Sequence, residues 1–129
     1  MDILGIGLLG SCGRGLSAFH KALETGWIPP SRVQHPHAAS SLPVHQVTAE
    51  SMQDKAVQPR LRRADRFSKL AVLAAGDAVA DAGVTFPDKS RVGVILATAF
   101  GPHVTTFRFL EDILQFGDTA VSPTTFSSS

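Results

Sequence analysis

Cys12 is the lone thiol among 129 residues, so it is the first candidate for a covalent nucleophile. A thiol attacks as the thiolate, and needs a neighbouring cation, imidazole or helix N-terminus to form it. Cys12 sits instead in the turn Gly10-Ser11-Cys12-Gly13-Arg14-Gly15, and reads as an ordinary small turn residue. Three of the five histidines fall close together: His35 and His37 flank Pro36, and His45 follows. Their spacing lies in a segment without periodicity, and no cysteine or acid completes a ligand set. They read as solvated loop residues, and no metal is expected. His103 stands at a helix start and reads as structural.

Two further patterns invite chemistry. Gly5-Ile6-Gly7-Leu8-Leu9-Gly10 matches the G-x-G-x-x-G phosphate-binding pattern. That motif needs a second strand about 20 residues on, ending in an acid that holds the ribose. The chain offers Trp27-Ile28-Pro29-Pro30-Ser31-Arg32 there, with neither strand pattern nor acid. The glycines read as points of close packing, and a nucleotide-binding module ranks last among the functions weighed. Arg60, Arg62, Arg63 and Arg66 form the one concentrated basic patch. It could steer an acidic partner toward the surface, or be held by salt bridges and carbonyls around the start of the next helix.

The elements that must position these residues follow from periodicity. Ile3–Leu9 is a short apolar run, expected to be a strand buried on both faces. A helix is expected from Leu16 to Leu23, with Leu16, Phe19, His20 and Leu23 on one side and Gly26 as its stop. From Trp27 to Pro59 five prolines interrupt the chain, which predicts a long irregular excursion with an extended piece at Leu42–Val47. The best helix runs from Asp65 to Ala82, with Asp65 as N-cap and Gly83 as C′ residue. Phe67, Leu70, Ala71, Ala74, Ala78 and Ala82 give it an apolar stripe of small side chains, which implies close approach to another element. Val92–Thr98 reads as a second buried strand. A last helix, His103–Gln115, is expected to turn Phe107, Leu110, Ile113 and Leu114 inward. The order strand, helix, helix, strand, helix predicts an α/β layered domain with a parallel sheet.

Composition bounds the partners. Apolar residues are 43% of the chain and charged residues 18%, a globular balance. A formal charge of +1 gives no electrostatic case for nucleic acid. The longest apolar runs fall short of the roughly 20 residues a bilayer span needs. A single cysteine and an acidic N-terminus without a basic flank predict a cytoplasmic protein.

Four segments, in order, resemble β-ketoacyl synthases of the thiolase-like superfamily. Ile3–Leu9 with its Gly-containing turn and helix is similar to the family's first strand and helix. Leu61-Arg62-Arg63-Ala64-Asp65-Arg66-Phe67-Ser68-Lys69-Leu70-Ala71 resembles the family's RRMDRFSKLA segment, with Ala64 in place of the methionine. Arg91-Val92-Gly93-Val94-Ile95-Leu96-Ala97-Thr98-Ala99-Phe100-Gly101 is similar to the strand that ends in GTGxGG, and Val121-Ser122-Pro123 resembles the SP that follows the next helix. The second motif is specific, and the resemblance spans nearly the whole chain.

The resemblance implies a thiolase-like N-terminal half, a layered sheet with helices, in which residues 1–129 are part of a β-ketoacyl synthase N-terminal domain. It implies decarboxylative acyl–malonyl condensation on acyl carrier protein, in fatty-acid or polyketide-type biosynthesis, without a cofactor. It also implies a homodimer or a heterodimer with a ketosynthase. The family's catalytic cysteine and two histidines are expected beyond Ser129, so this chain alone is expected to carry no catalytic residue and to be inactive. Thr98 and Phe100 fall where the family borders its acyl pocket, and a phenyl ring there would limit acyl length. Arg62, Arg63 and Arg66 are the candidates for carrier-protein docking. Ala97, Ala99 and Pro102 replace family glycines, which leaves open a non-catalytic partner subunit of the chain-length-factor type.

Overall fold

Glycine decides how the chain begins. The structure, a computed structural model, describes residues 2–34, 39–57 and 59–117. Residues 5 and 7 approach a helix later in the chain, and the chain then reverses in a tight hairpin. Strands β1 (Leu9–Gly10) and β2 (Gly13–Arg14) pair antiparallel, Leu9 opposite Arg14 and Gly10 opposite Gly13. Gly13 (φ 122°) and Gly15 (φ 87°) adopt backbone angles that a side chain disfavours. Helix α1 (Leu16–Thr25) follows and stops at Gly26, whose N–H donates to Ala22 O at 3.0 Å.

The stretch expected to be irregular contains a second hairpin. Strands β3 (Ser31–Val33) and β4 (Leu42–Val44) pair antiparallel, with Arg32 opposite Pro43. The extended piece expected at Leu42–Val47 is therefore shorter, and the strand facing it gave no signal in the sequence. Three residues are too few for alternation to show, and a two-stranded ribbon tolerates proline because each strand is an edge. Arg32 braces the hairpin by donating from Nη1 to Ser41 Oγ at 3.1 Å.

Helix α2 (Arg66–Ala82) matches its expected span. The Asp65 carboxylate caps it, accepting from Ser68 N at 3.1 Å and Ser68 Oγ at 2.5 Å. Gly83 ends it in the left-handed region (φ 61°), with its N–H on Ala80 O. Burial favours the neutral acid at Asp65, but hydrogen bonds from the Ser68 side chain and backbone outweigh it and hold the carboxyl below its ordinary range. A depressed folded pKa contributes stability above the unfolded value, and that contribution is lost as pH falls through the folded one. Asp65→Ala is expected to cost about 1 kcal/mol and to fray the first turn of α2, which helicity by circular dichroism would register; an unchanged melting curve would remove the cap from the account.

The parallel sheet expected from Ile3–Leu9 and Val92–Thr98 does not form. Both sheets are two-stranded and antiparallel, and the two apolar runs do not pair with each other. Residues 92–100 are all exposed, with Ile95 at 98%. Apolar, β-branched composition states that a segment favours burial as a strand; it does not supply the neighbour whose N–H and C=O groups complete a ladder. The same correction applies to helix α3 (His103–Phe116). Phe107, Leu110 and Leu114 are exposed rather than inward, and Ile113 is half-buried, because no element among the described residues covers them. On α1, Leu16 is half-buried while Phe19, His20 and Leu23 are exposed.

The packing that exists is centred on α2. Leu73 is the buried core residue among those described, at 3% exposure. Gly5 and Gly7 lie against the backbone of α2. A Cβ at Gly7 would penetrate Ala74 O and stand 2.7 Å from Ala78 N; one at Gly5 would strike Ala78 O and approach Ala82 N at 2.5 Å. The small-residue stripe of α2 and the glycines of the first segment thus fit one another, which accounts for the G-x-G pattern as packing. The architecture is mixed α/β, with much apolar surface uncovered.

Candidate functional site

The most concentrated polar network joins three distant segments. Arg14, at the end of the first hairpin, directs its guanidinium at α2 and at the loop before it. Its Nε donates to Asp77 Oδ2 at 2.7 Å and its Nη2 to Asp77 Oδ1 at 2.6 Å, a bidentate fork. Nη2 also reaches Asp54 Oδ2 at 3.1 Å, and Nη1 reaches Gln53 O at 3.2 Å. All three side chains retain about a quarter of their exposure. The hydrogen bond to Asp77 drives the Arg14 pKa further up, against a smaller opposing effect of burial, so the guanidinium is a fixed cation. The hydrogen bond from Arg14 pulls the Asp54 carboxyl below its usual range, helped by the Ala56 and Val57 backbone N–H groups. Nearby, Ile6 N–H donates to Asp81 Oδ2 at 2.9 Å. The network fastens the hairpin and the first segment to α2. Sequence reading did not single out Arg14, Asp54 or Asp77, because nothing local marks a contact between residues 63 apart.

A second feature is open to ligand. A groove of about 480 Å³ separates the first turns of α2 from those of α3, lined among others by Arg66, Phe67, Leu70, Pro102, Val104 and Arg108. Arg66 is held by donating from Nη2 to Val47 O at 2.5 Å. Arg108 makes no hydrogen bond or ion pair among the described residues. The groove therefore combines an apolar floor with two arginines and the Asp65 cap among its lining residues.

The residues singled out from sequence are partly gathered here. Arg66 lines the groove, while Arg62 and Arg63 lie exposed in the turn that precedes the α2 cap. Thr98 Oγ1 accepts from Gly101 N at 2.9 Å and from Phe100 N at 3.3 Å, closing the turn into α3. Phe100 is exposed at 80% and meets His103 edge-on at 5.9 Å, and His103 in turn meets Phe107 at 6.1 Å. Cys12 is half-buried at the tip of the first hairpin, with no hydrogen-bond partner among the described residues. His45 is exposed, and His35, His37 and Val121–Pro123 lie outside the described residues. Among the described residues no group of three or more His, Cys, Asp or Glu side chains could hold a metal ion, and no helix is long and apolar enough to cross a membrane.

No family model matches the chain, and no curated protein matches it.

Proposed function

We propose that the chain is a β-ketoacyl synthase-like scaffold of fatty-acid or polyketide-type biosynthesis, serving acyl–malonyl condensation on acyl carrier protein. The reading rests on the resemblance of residues 61–71, and one structural observation supports it. The arginines of that segment stand exposed immediately before a capped helix, with Arg62 and Arg63 committed to no partner among the described residues. An acidic carrier protein would meet them by charge steering. In this reading Cys12 and the five histidines of the chain are not the catalytic groups of the condensation. The protein acts in the cytoplasm, as a homodimer or paired with a ketosynthase.

A second reading is a non-catalytic partner subunit that sets chain length. It is favoured by Ala97, Ala99 and Pro102 in place of glycines, and by the phenyl ring of Phe100 beside the same turn. A cysteine with two later histidines in residues following Ser129 would decide for the enzyme, and a substituted position for the partner.

The test is binding of an acyl carrier protein, followed by fluorescence anisotropy at low salt. Reversing both charges, Arg62→Glu with Arg63→Glu, is expected to weaken binding at least about tenfold, and added salt to weaken it further. Equal affinity of the double variant would sink the docking assignment. The 129 residues alone are expected to show no condensation, so measured turnover of malonyl-carrier protein by them would overturn the division of labour described above.

A further inference from the structure

We propose that the groove between the first turns of α2 and α3 binds an organic monocarboxylate with an apolar body, independently of carrier-protein docking. Four observations combine. First, the groove has the volume of a small-molecule site, about 480 Å³. Second, Phe67, Leu70, Pro102 and Val104 give it an apolar surface, which an inorganic anion would leave unused. Third, Arg66 and Arg108 both line the groove. The Arg66 guanidinium is turned to Val47 O, to which it donates, while the Arg108 side chain has no partner among the described residues and keeps its donors for a ligand. A planar fork of this kind matches the two oxygens of a carboxylate.

The fourth observation concerns the charges at the rim. Asp65 also lines the groove, and its depressed pKa keeps it ionised as the cap of α2. The apolar floor, rather than this charge, favours an organic carboxylate over inorganic phosphate. The opening turn of α3 adds to the attraction for a single negative head. Its N-cap is Pro102, without a side-chain cap, so the His103 and Val104 N–H groups are left without intrahelical acceptors. The binding mode is then a carboxylate on Arg108 and the opening turn of α3, with its hydrocarbon laid on Phe67, Leu70 and Val104.

The probe is 4-phenylbutanoate, titrated by isothermal calorimetry against the full chain carried on a soluble fusion partner, with the fusion partner alone as blank. Its neutral twin 4-phenylbutanamide and inorganic phosphate are run beside it. Saturable binding of the carboxylate is expected, at least about tenfold tighter than the amide, with phosphate unable to displace it. Arg108→Gln is the decisive variant because that side chain holds nothing else in place; it should keep the circular dichroism spectrum and lose about tenfold in carboxylate affinity. Equal binding of acid and amide, displacement by phosphate, an Arg108→Gln protein of unchanged affinity, or no saturable heat would each overturn the assignment. Carrier-protein affinity is read separately through Arg62 and Arg63, so failure of one proposal leaves the other standing.

Discussion

Gly7→Val is expected to detach the N-terminal segment from helix α2 and to destabilise the fold by about 3 kcal/mol, the upper end of what overpacking costs. The reason is backbone against backbone. A Cβ at position 7 would enter the space of Ala74 O and come within 2.9 Å of Ala74 C and 2.7 Å of Ala78 N. None of these atoms belongs to a flexible side chain that could swing aside, so either the helix deforms or the segment lifts away. Lifting also removes the hydrogen bond from Ile6 N–H to Asp81 and uncovers the alanine stripe. Urea unfolding followed by circular dichroism would give the loss, and amide exchange at Ile6 would show whether the segment has come free. Gly76→Ala is the matched control, since a Cβ there meets nothing within 4 Å and position 76 lies inside α2. That change is expected to stabilise the helix by about 0.5 to 1 kcal/mol. Similar behaviour of the two variants would show that the close approach of residues 5–7 to α2 is not what holds the segment.

Arg14→Met is expected to cost about 2 kcal/mol, the scale of a charge-assisted hydrogen-bonded pair lost from a partly covered site. Methionine keeps the hydrocarbon stem and removes the fork, leaving Asp54 and Asp77 facing each other without a cation. The result has a pH signature whose sign is set by Asp54. Its folded-state pKa lies below the ordinary carboxylate value because of Arg14, so the contribution is complete above the unfolded pKa, near pH 4. It is lost as pH falls through the depressed folded value. Wild-type stability should therefore drop on acidification below about pH 4, and Arg14→Met should flatten that part of the curve. Melting curves collected between neutral and acidic pH give both results. A variant as stable as wild type at neutral pH, with an unaltered acid limb, would show that the network is an accessory of the surface.

The helices were legible in the sequence and the sheets were not, for one physical reason. A helix satisfies its backbone within itself, so Asp65, the alanine stripe and Gly83 were enough to place α2 to within a residue. A strand is completed by another segment. Nothing in Val92–Thr98 states which segment that is, and Ser31–Val33 gave no cue that it would find Leu42–Val44. The stripe on α2 also omitted Leu73, the residue the structure buries most. The periodic reading of residues 103–115 gave the α3 helix but mistook apolar side chains for covered ones. At the candidate site, Arg66 could be read from the basic cluster. Its companion Arg108 could not, because 42 positions of chain separate them and only the meeting of two helix ends makes them neighbours. Arg14, Asp54 and Asp77 were hidden in the same way.

The contact between Gly7 and Ala74 has a genetic side. Glycine codons share their first two bases, and any change to either of them encodes a residue bearing a Cβ or a stop. Every missense neighbour of Gly5 and Gly7 in the code therefore places an atom where the α2 backbone already stands. At these two sites inheritance has silent third-base changes to drift among and no tolerated amino-acid step, whereas exposed Gly76 can take the step to alanine at once.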